Sequence, residues 1–318
     1  MRPGSVSLRL YPHLDLPPEA IVQELLDQGR LGEAAGFDGL MVSEHHNAFA
    51  GYLPNPIQAA GWLLDVTREA WVAPCPLLLP LRPAALVAEE LAWLAARFPG
   101  RVGVGLAAGS LEADFTIAST TKDDLTARFA DGMRTVSGML LGRDPGVLPD
   151  DPAIGRCVTD PVPVVSAAMS AAACRRAAAA GVGLLFDSLT AVARCRELAE
   201  MYREAGGPGP IVLIRRAAPG APPAARQADQ LRLYRSYAAA GAIEHWGEDE
   251  LARGEPSAIA ETLAAQAVAV GADCLNVRVH SPGMTPAEAR SHIEGLADIH
   301  APLARSWPAA SGGTASER

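Results

Sequence analysis

Eight short apolar runs, each followed by a longer segment with helical spacing, constrain this 318-residue chain more than any other feature. In the first half the runs are "VSLRLY" (Val6–Tyr11), "GLMVS" (Gly39–Ser43), "VAPCPLLLP" (Val72–Pro80) and "RVGVGLAAG" (Arg101–Gly109). In the second half they are "VPVVSAA" (Val162–Ala168), "VGLLFDS" (Val182–Ser188), "PIVLIRRAA" (Pro210–Ala218) and "DCLNVRVH" (Asp273–His280). The first intervening helix, "DLPPEAIVQELLDQGRLGEAAG", has Pro at its start and Gly36 at its end. Strands that alternate with helices pair in parallel through right-handed crossovers. Eight such units over about 300 residues suit a (β/α)8 TIM barrel, whose closure leaves no sheet edge. An open doubly wound sheet is the competing arrangement. One barrel domain is expected over residues 1–305, with 306–318 as a disordered tail of small polar residues. The stretch Pro219–Gly254 is poorly punctuated, with a helix expected around "QLRLYRSYAAA".

Composition narrows the function classes. Hydrophobic residues make up 49% of the chain and charged residues 20%, enough for a large core. A net charge of −9 argues against nucleic acid or an anionic membrane as partner, since both would repel it. Five cysteines are scattered without C-x-x-C spacing, which fits a reducing cytoplasm better than a disulfide framework or a zinc site. The N-terminal segment has no apolar signal core, and no run of about 18 apolar residues predicts a membrane span.

In such a barrel the chemistry sits at the C-terminal ends of the strands. That rule gathers Glu44, His45, His46, the segment after Leu79, Ala107–Ser110, Ser166–Ser170, Asp187, Ser188 and His280 around one mouth. Adjacent histidines on an extended chain point to opposite sides, so a shared metal is disfavoured and no metal is expected. One of them either hydrogen-bonds backbone or a loop carboxylate, or reaches into the mouth to handle a proton. The prolines in "VAPCPLLLP" lack N–H donors and imply a bulge or a cis X-Pro bond in the third strand. "GVGLAAG" departs from the dinucleotide fingerprint and is explained equally well by close packing. Cys75 has no basic neighbour in sequence to lower its pKa. Arg278, a cation inside an apolar strand, requires an anionic or hydrogen-bonded partner.

Taken together, "GFDGLMVSEHH", "PNPIQAAGWLLDVT", "LLLPLRPAALVAEELAWL", "GRVGVGLAAGSLEADF" and "LNVRVHSPGMTPAEA" resemble the bacterial luciferase-like monooxygenase family. The resemblance implies a barrel enzyme, usually dimeric, that uses reduced FMN with O2 or the deazaflavin F420 for hydride transfer. It implies that His45 and His46 stand near cofactor and substrate. It places the family's strand-three cis peptide at Cys75-Pro76, against one face of the flavin ring. Cofactor contacts are expected from Glu44, Cys75, Pro76, Gly109, Ser110, Ser166 and Ser170. Where relatives carry an Arg for the flavin phosphate, this chain has Ala108, and in Ser166-Ala167-Ala168-Met169-Ser170 only Ser170 and the helix N-terminus there are expected to grip an anion. The implied partners are a small organic substrate, a separate flavin reductase and a second barrel in a homodimer or heterodimer. The alternatives are a flavin-poor barrel that serves an active homologue as a non-catalytic subunit, and a flavin-independent enzyme on the same fold.

Overall fold

The computed structural model describes residues 1–49, 51–221, 224–236, 243–247 and 251–307. The strands are β1 (Val6–Arg9), β2 (Gly39–Val42), β3 (Trp71–Pro74), β4 (Leu77–Leu78), β5 (Val104–Ala107), β6 (Val164–Ala167), β7 (Gly183–Phe186), β8 (Ile211–Pro219), β9 (Leu251–Gly254) and β10 (Cys274–Arg278). They pair in parallel in the order β3-β2-β1-β10-β8-β7-β6-β5-β4. β3 and β4 are the two halves of the expected third strand, divided at a cis Cys75-Pro76 bond. β3 pairs with β2 and β4 pairs with β5, so the two ends of the order meet and the barrel nearly closes. All eight expected strands are present, and the open-sheet alternative is set aside. β9, which pairs with β8 in parallel, lies in the stretch left unassigned from sequence. The helix expected around "QLRLYRSYAAA" is seen as Ala224–Arg235; Tyr237 to Ala240, like the tail from residue 308 onward, lie outside the described residues.

Parallel strands buried on both faces read as near-continuous apolar runs because each face has its own layer to fill. Leu8, Leu40, Val72, Leu106, Leu184 and Leu213 point outward and pack under the helices. Met41, Ala73, Val165, Leu185 and Val212 point inward and fill the barrel. Toward the C-terminal end the interior turns polar. There Arg9 donates from Nε to Asn276 Oδ1 at 2.8 Å, and Asn276 Nδ2 donates to Ser7 Oγ at 2.9 Å. Among the described residues no helix is long and apolar enough to cross a membrane.

Close strand approach explains one glycine. A Cβ on Gly183 would sit 2.1 Å from the Pro210 carbonyl oxygen, a backbone atom that cannot rotate away. Gly183→Ala is therefore expected to cost about 1–3 kcal/mol of unfolding free energy. Gly155→Ala, in a helix where an added Cβ meets nothing within 4 Å, is expected to be neutral or slightly stabilising. Urea denaturation of the two variants side by side checks this, and equal midpoints would refute it.

Candidate active site

The end of β2 sets up two separate polar networks. Glu44 is fully buried; its Oε2 accepts from the Leu78 N–H at 2.7 Å and its Oε1 from Arg82 Nη2 at 2.6 Å. The Glu44 N–H in turn donates to the Pro76 carbonyl at 3.1 Å, so this residue ties β2 to β4 twice. His46 Nε2 lies 3.4 Å from Glu44 Oε1, and that contact raises its pKa.

His45 turns the other way, as alternation along an extended chain requires. Its Nδ1 is 2.7 Å from Asp114 Oδ2, while the His46 backbone N–H donates to Asp114 Oδ1 at 3.0 Å. Asp114 belongs to the short helix Glu112–Ile117 and is 1% exposed. The His45 ring is packed edge-on against Tyr52 with ring centres 4.6 Å apart, and Phe49 lies 5.0 Å away. Burial lowers the His45 pKa, and the Asp114 carboxylate only partly offsets it. The neutral imidazole therefore donates Nδ1–H to Asp114 and carries its lone pair on Nε2. His45 thus bonds a carboxylate, here on a short helix rather than a loop, and also lines the mouth.

A cavity of about 390 Å3 opens at that mouth. The ends of β5 and β6 give it a wall of small residues: Ala107, Ala108, Gly109 and Ala167. Gly109 has φ +84°, and a Cβ there would press to 3.3 Å from the Phe115 ring. Opposite, Arg9 and Arg278 come from β1 and β10. Tyr11, Tyr52 and Trp246 add aromatic surface.

Of the residues singled out from sequence, Glu44, His45, Pro76, Gly109 and Ser110 line this cavity. His46, Cys75, Ser166 and Ser170 lie outside its lining. His46 faces Glu44 instead. Cys75 is fully buried beside β5, and burial pushes its thiol up to about 11. Its basic neighbour is Arg9 of β1, two strands away, which the sequence did not place there; Arg9 donates to the Cys75 carbonyl at 2.7 Å. Ser166 is buried, with its hydroxyl 3.5 Å from the Ala167 carbonyl. The Ser170 hydroxyl caps the helix Ala171–Ala180 by accepting from the Ala173 N–H at 3.3 Å. His280 also departs from expectation. It stacks on Tyr11 with ring centres 5.1 Å apart, borders a separate void of about 30 Å3, and is held by burial at about 3. Leu78 and Pro76, rather than the segment after Leu79, supply the strand-three wall.

Comparisons place this geometry among known proteins. The profile of the luciferase-like monooxygenase family matches residues 8–299. The alkanal monooxygenase alpha chain of Photorhabdus laumondii is 30% identical over 107 residues, 34% of this chain and 30% of that protein. The alkanal monooxygenase beta chain of Vibrio harveyi is 27% identical over 113 residues, 36% of this chain and 35% of that one. The matched segments thus span about a third of each curated relative. Monooxygenase RslO1 of Streptomyces bottropensis superposes with a TM-score of 0.75 at 18% identity, covering 94% of this chain and 99% of that one. An F420-dependent secondary alcohol dehydrogenase bound to an F420-acetone adduct gives 0.73 at 14% identity, covering 95% and 99%. The oxygenating constituent of 3,6-diketocamphane monooxygenase from Pseudomonas putida, bound to FMN, gives 0.72 at 16% identity, covering 94% and 98%. With a profile match running from β1 to the last helices and a parallel barrel of the same shape, the chain belongs to the luciferase-like monooxygenase family.

Proposed function

We propose that this protein is an oxidoreductase that binds reduced FMN, or F420 in its place, and acts on a small organic substrate in the cavity at the barrel mouth. The observation that carries the reading is the buried His45–Asp114 pair at the rim of a cavity with one wall of small residues. The residues present fit a tricyclic ring. Ala107, Ala108, Gly109 and Ala167 leave room for a planar system, and Pro76 and Leu78 offer it an apolar edge. The polar end is less well provided: Ser110 lines the cavity, and Lys122 reaches the Ser110 carbonyl from behind.

When bound, the cofactor supplies the electrons, to O2 in the FMN case or as hydride in the F420 case. The chain supplies the rest. His45 Nε2 takes or returns a proton at the reacting group, and Asp114 fixes the tautomer that makes this possible. Tyr52 holds the imidazole plane. The apolar walls keep water from the reacting atoms.

Titration of the protein with FMN, anaerobically reduced FMN and F420, followed by cofactor fluorescence, tests the reading. Saturable binding of one of the three is expected, and binding of none refutes it. Ala108→Arg, which restores a cation at the end of β5, is expected to tighten FMN binding about tenfold. An unchanged affinity would mean that the phosphate lies elsewhere. A second reading, a barrel that assembles with an active homologue, is favoured by Ala108, Ala167 and Ala168 at the positions where anion contacts are expected. Similarity to both an alpha and a beta chain favours it too. Co-purification with a homologous barrel, with no cofactor bound, would support that reading.

A further inference from the structure

We infer that Arg278 is a specificity-determining residue that pairs with a carboxylate of the substrate, held against the β1–β10 wall of the cavity. The inference rests on the proposed role of this cavity as the reaction chamber. Arg9 and Arg278 are direct partners in the parallel register of β1 and β10. Neighbouring strands lie only about 4.8 Å apart, and like charges side by side repel. Both residues are more than nine-tenths buried, at 4% and 5% exposure. Among the described residues neither has a carboxylate partner. A buried charge without a counter-charge is costly, so the pair is poised for an anion.

The two arginines divide the work. Arg9 is occupied by neutral acceptors: Asn276 Oδ1 at 2.8 Å, the Cys75 carbonyl at 2.7 Å, the Ser43 hydroxyl and the Met41 sulfur. It contributes fixed positive potential. Arg278 spends only Nε, on the His280 carbonyl at 3.2 Å. Its guanidinium lies over the faces of Tyr11 and Tyr234, 4.1 Å and 4.8 Å from their ring centres, which sets its plane. The two Nη groups make no hydrogen bond to a described residue, and this fork is the geometry that receives a carboxylate in two parallel bonds.

The acidic residues of the lining do not answer this charge. Glu44 is taken by Arg82 and the Leu78 N–H. Asp187 accepts from the N–H groups of Leu189 and Thr190 at 2.8 and 2.7 Å. The ends of β5 and β6, where the cofactor phosphate is expected, lie across the barrel from β1 and β10 in the strand order. The anion met by Arg278 is therefore assigned to the substrate.

The probes are benzoate and its uncharged analogue benzamide, titrated calorimetrically into the full-length protein at low and high salt, with the three cofactor titrations run in parallel. Benzoate is expected to bind about tenfold or more tighter than benzamide at low salt, with the preference shrinking as salt rises. Arg278→Met is expected to abolish the preference while leaving benzamide affinity in place, and Arg278→Lys to keep part of it. If Arg278→Met does not fold, Arg278→Gln takes its place, and a preference unchanged from wild type in it overturns the inference. Equal affinities, or no benzoate binding, overturn the inference. So does an Arg278→Met protein that keeps the preference but loses reduced FMN, because the cation would then belong to the cofactor. A benzoate preference with no cofactor binding sinks the oxidoreductase reading and leaves the anion site standing; cofactor binding with no preference does the reverse.

Discussion

Replacing His45 with alanine is expected to cut turnover by about 100- to 10,000-fold, the range lost when a positioned acid–base group is removed, while cofactor affinity changes only a few-fold. The expectation rests on a ring that is neutral, oriented and at the cavity wall. Burial holds its pKa below the ordinary 6.5, so the neutral form persists on the acid side of that value. Activity that needs neutral His45 is then flat at and above neutrality and falls only as pH drops through the lowered pKa. Asp114→Asn separates orientation from mere presence. The amide cannot supply the negative charge that raises the His45 pKa, and its NH2 can donate to Nδ1, which favours the wrong tautomer. Turnover is expected to fall in this variant, and the acid limb to move to still lower pH. A kcat–pH profile of the three proteins checks both parts. Near-normal turnover in His45→Ala would remove the imidazole from the chemistry. An unmoved acid limb in Asp114→Asn would show that the limb belongs to another group.

The eight barrel strands were legible because a parallel strand covered on both faces has no polar alternation to confuse with a helix, as in "GLLF" and "CLNVR". The division of the third strand was legible in its prolines. β9 was not, because "LARG" is short, half polar and set in a stretch without period. His45 and His46 stood out as adjacent imidazoles after an apolar run, and the sequence did not choose between them. The partner of His45 did not: Asp114 is 69 positions away in a segment with no pattern, and only the closing of β3 and β4 onto β5 brings the two together. Arg9 carried the same signal as Arg278, a cation in an apolar strand, and register with Arg278 could have been inferred from the barrel order. Ser170 carried a double signal. A serine before a helix reads equally as a cap or as an anion ligand; its oxygen here caps the helix Ala171–Ala180, and its O–H is left to donate.

Arg82→Leu is expected to lower the unfolding free energy by about 2–3 kcal/mol, because it leaves the fully buried Glu44 carboxylate without its cation. The figure sits below the about 3–5 kcal/mol typical of a broken buried pair, since Arg82 keeps 21% of its side chain exposed and water screens part of the attraction. The loss comes from the stranded charge, so removing the charge as well should recover much of it. Glu44→Gln keeps an oxygen for the Leu78 N–H, and the double variant Glu44→Gln/Arg82→Leu is expected to be more stable than Arg82→Leu alone. Urea denaturation of the four proteins closes the cycle. A double variant no better than Arg82→Leu would mean that Arg82 acts through its packing or its 3.3 Å bond to the Pro54 carbonyl. The same cycle bears on the site, because Glu44 ties β2 to β4 directly before His45. If the stranded carboxylate moves that junction, turnover should fall in Arg82→Leu and return in the double variant, although neither residue handles the transferred proton.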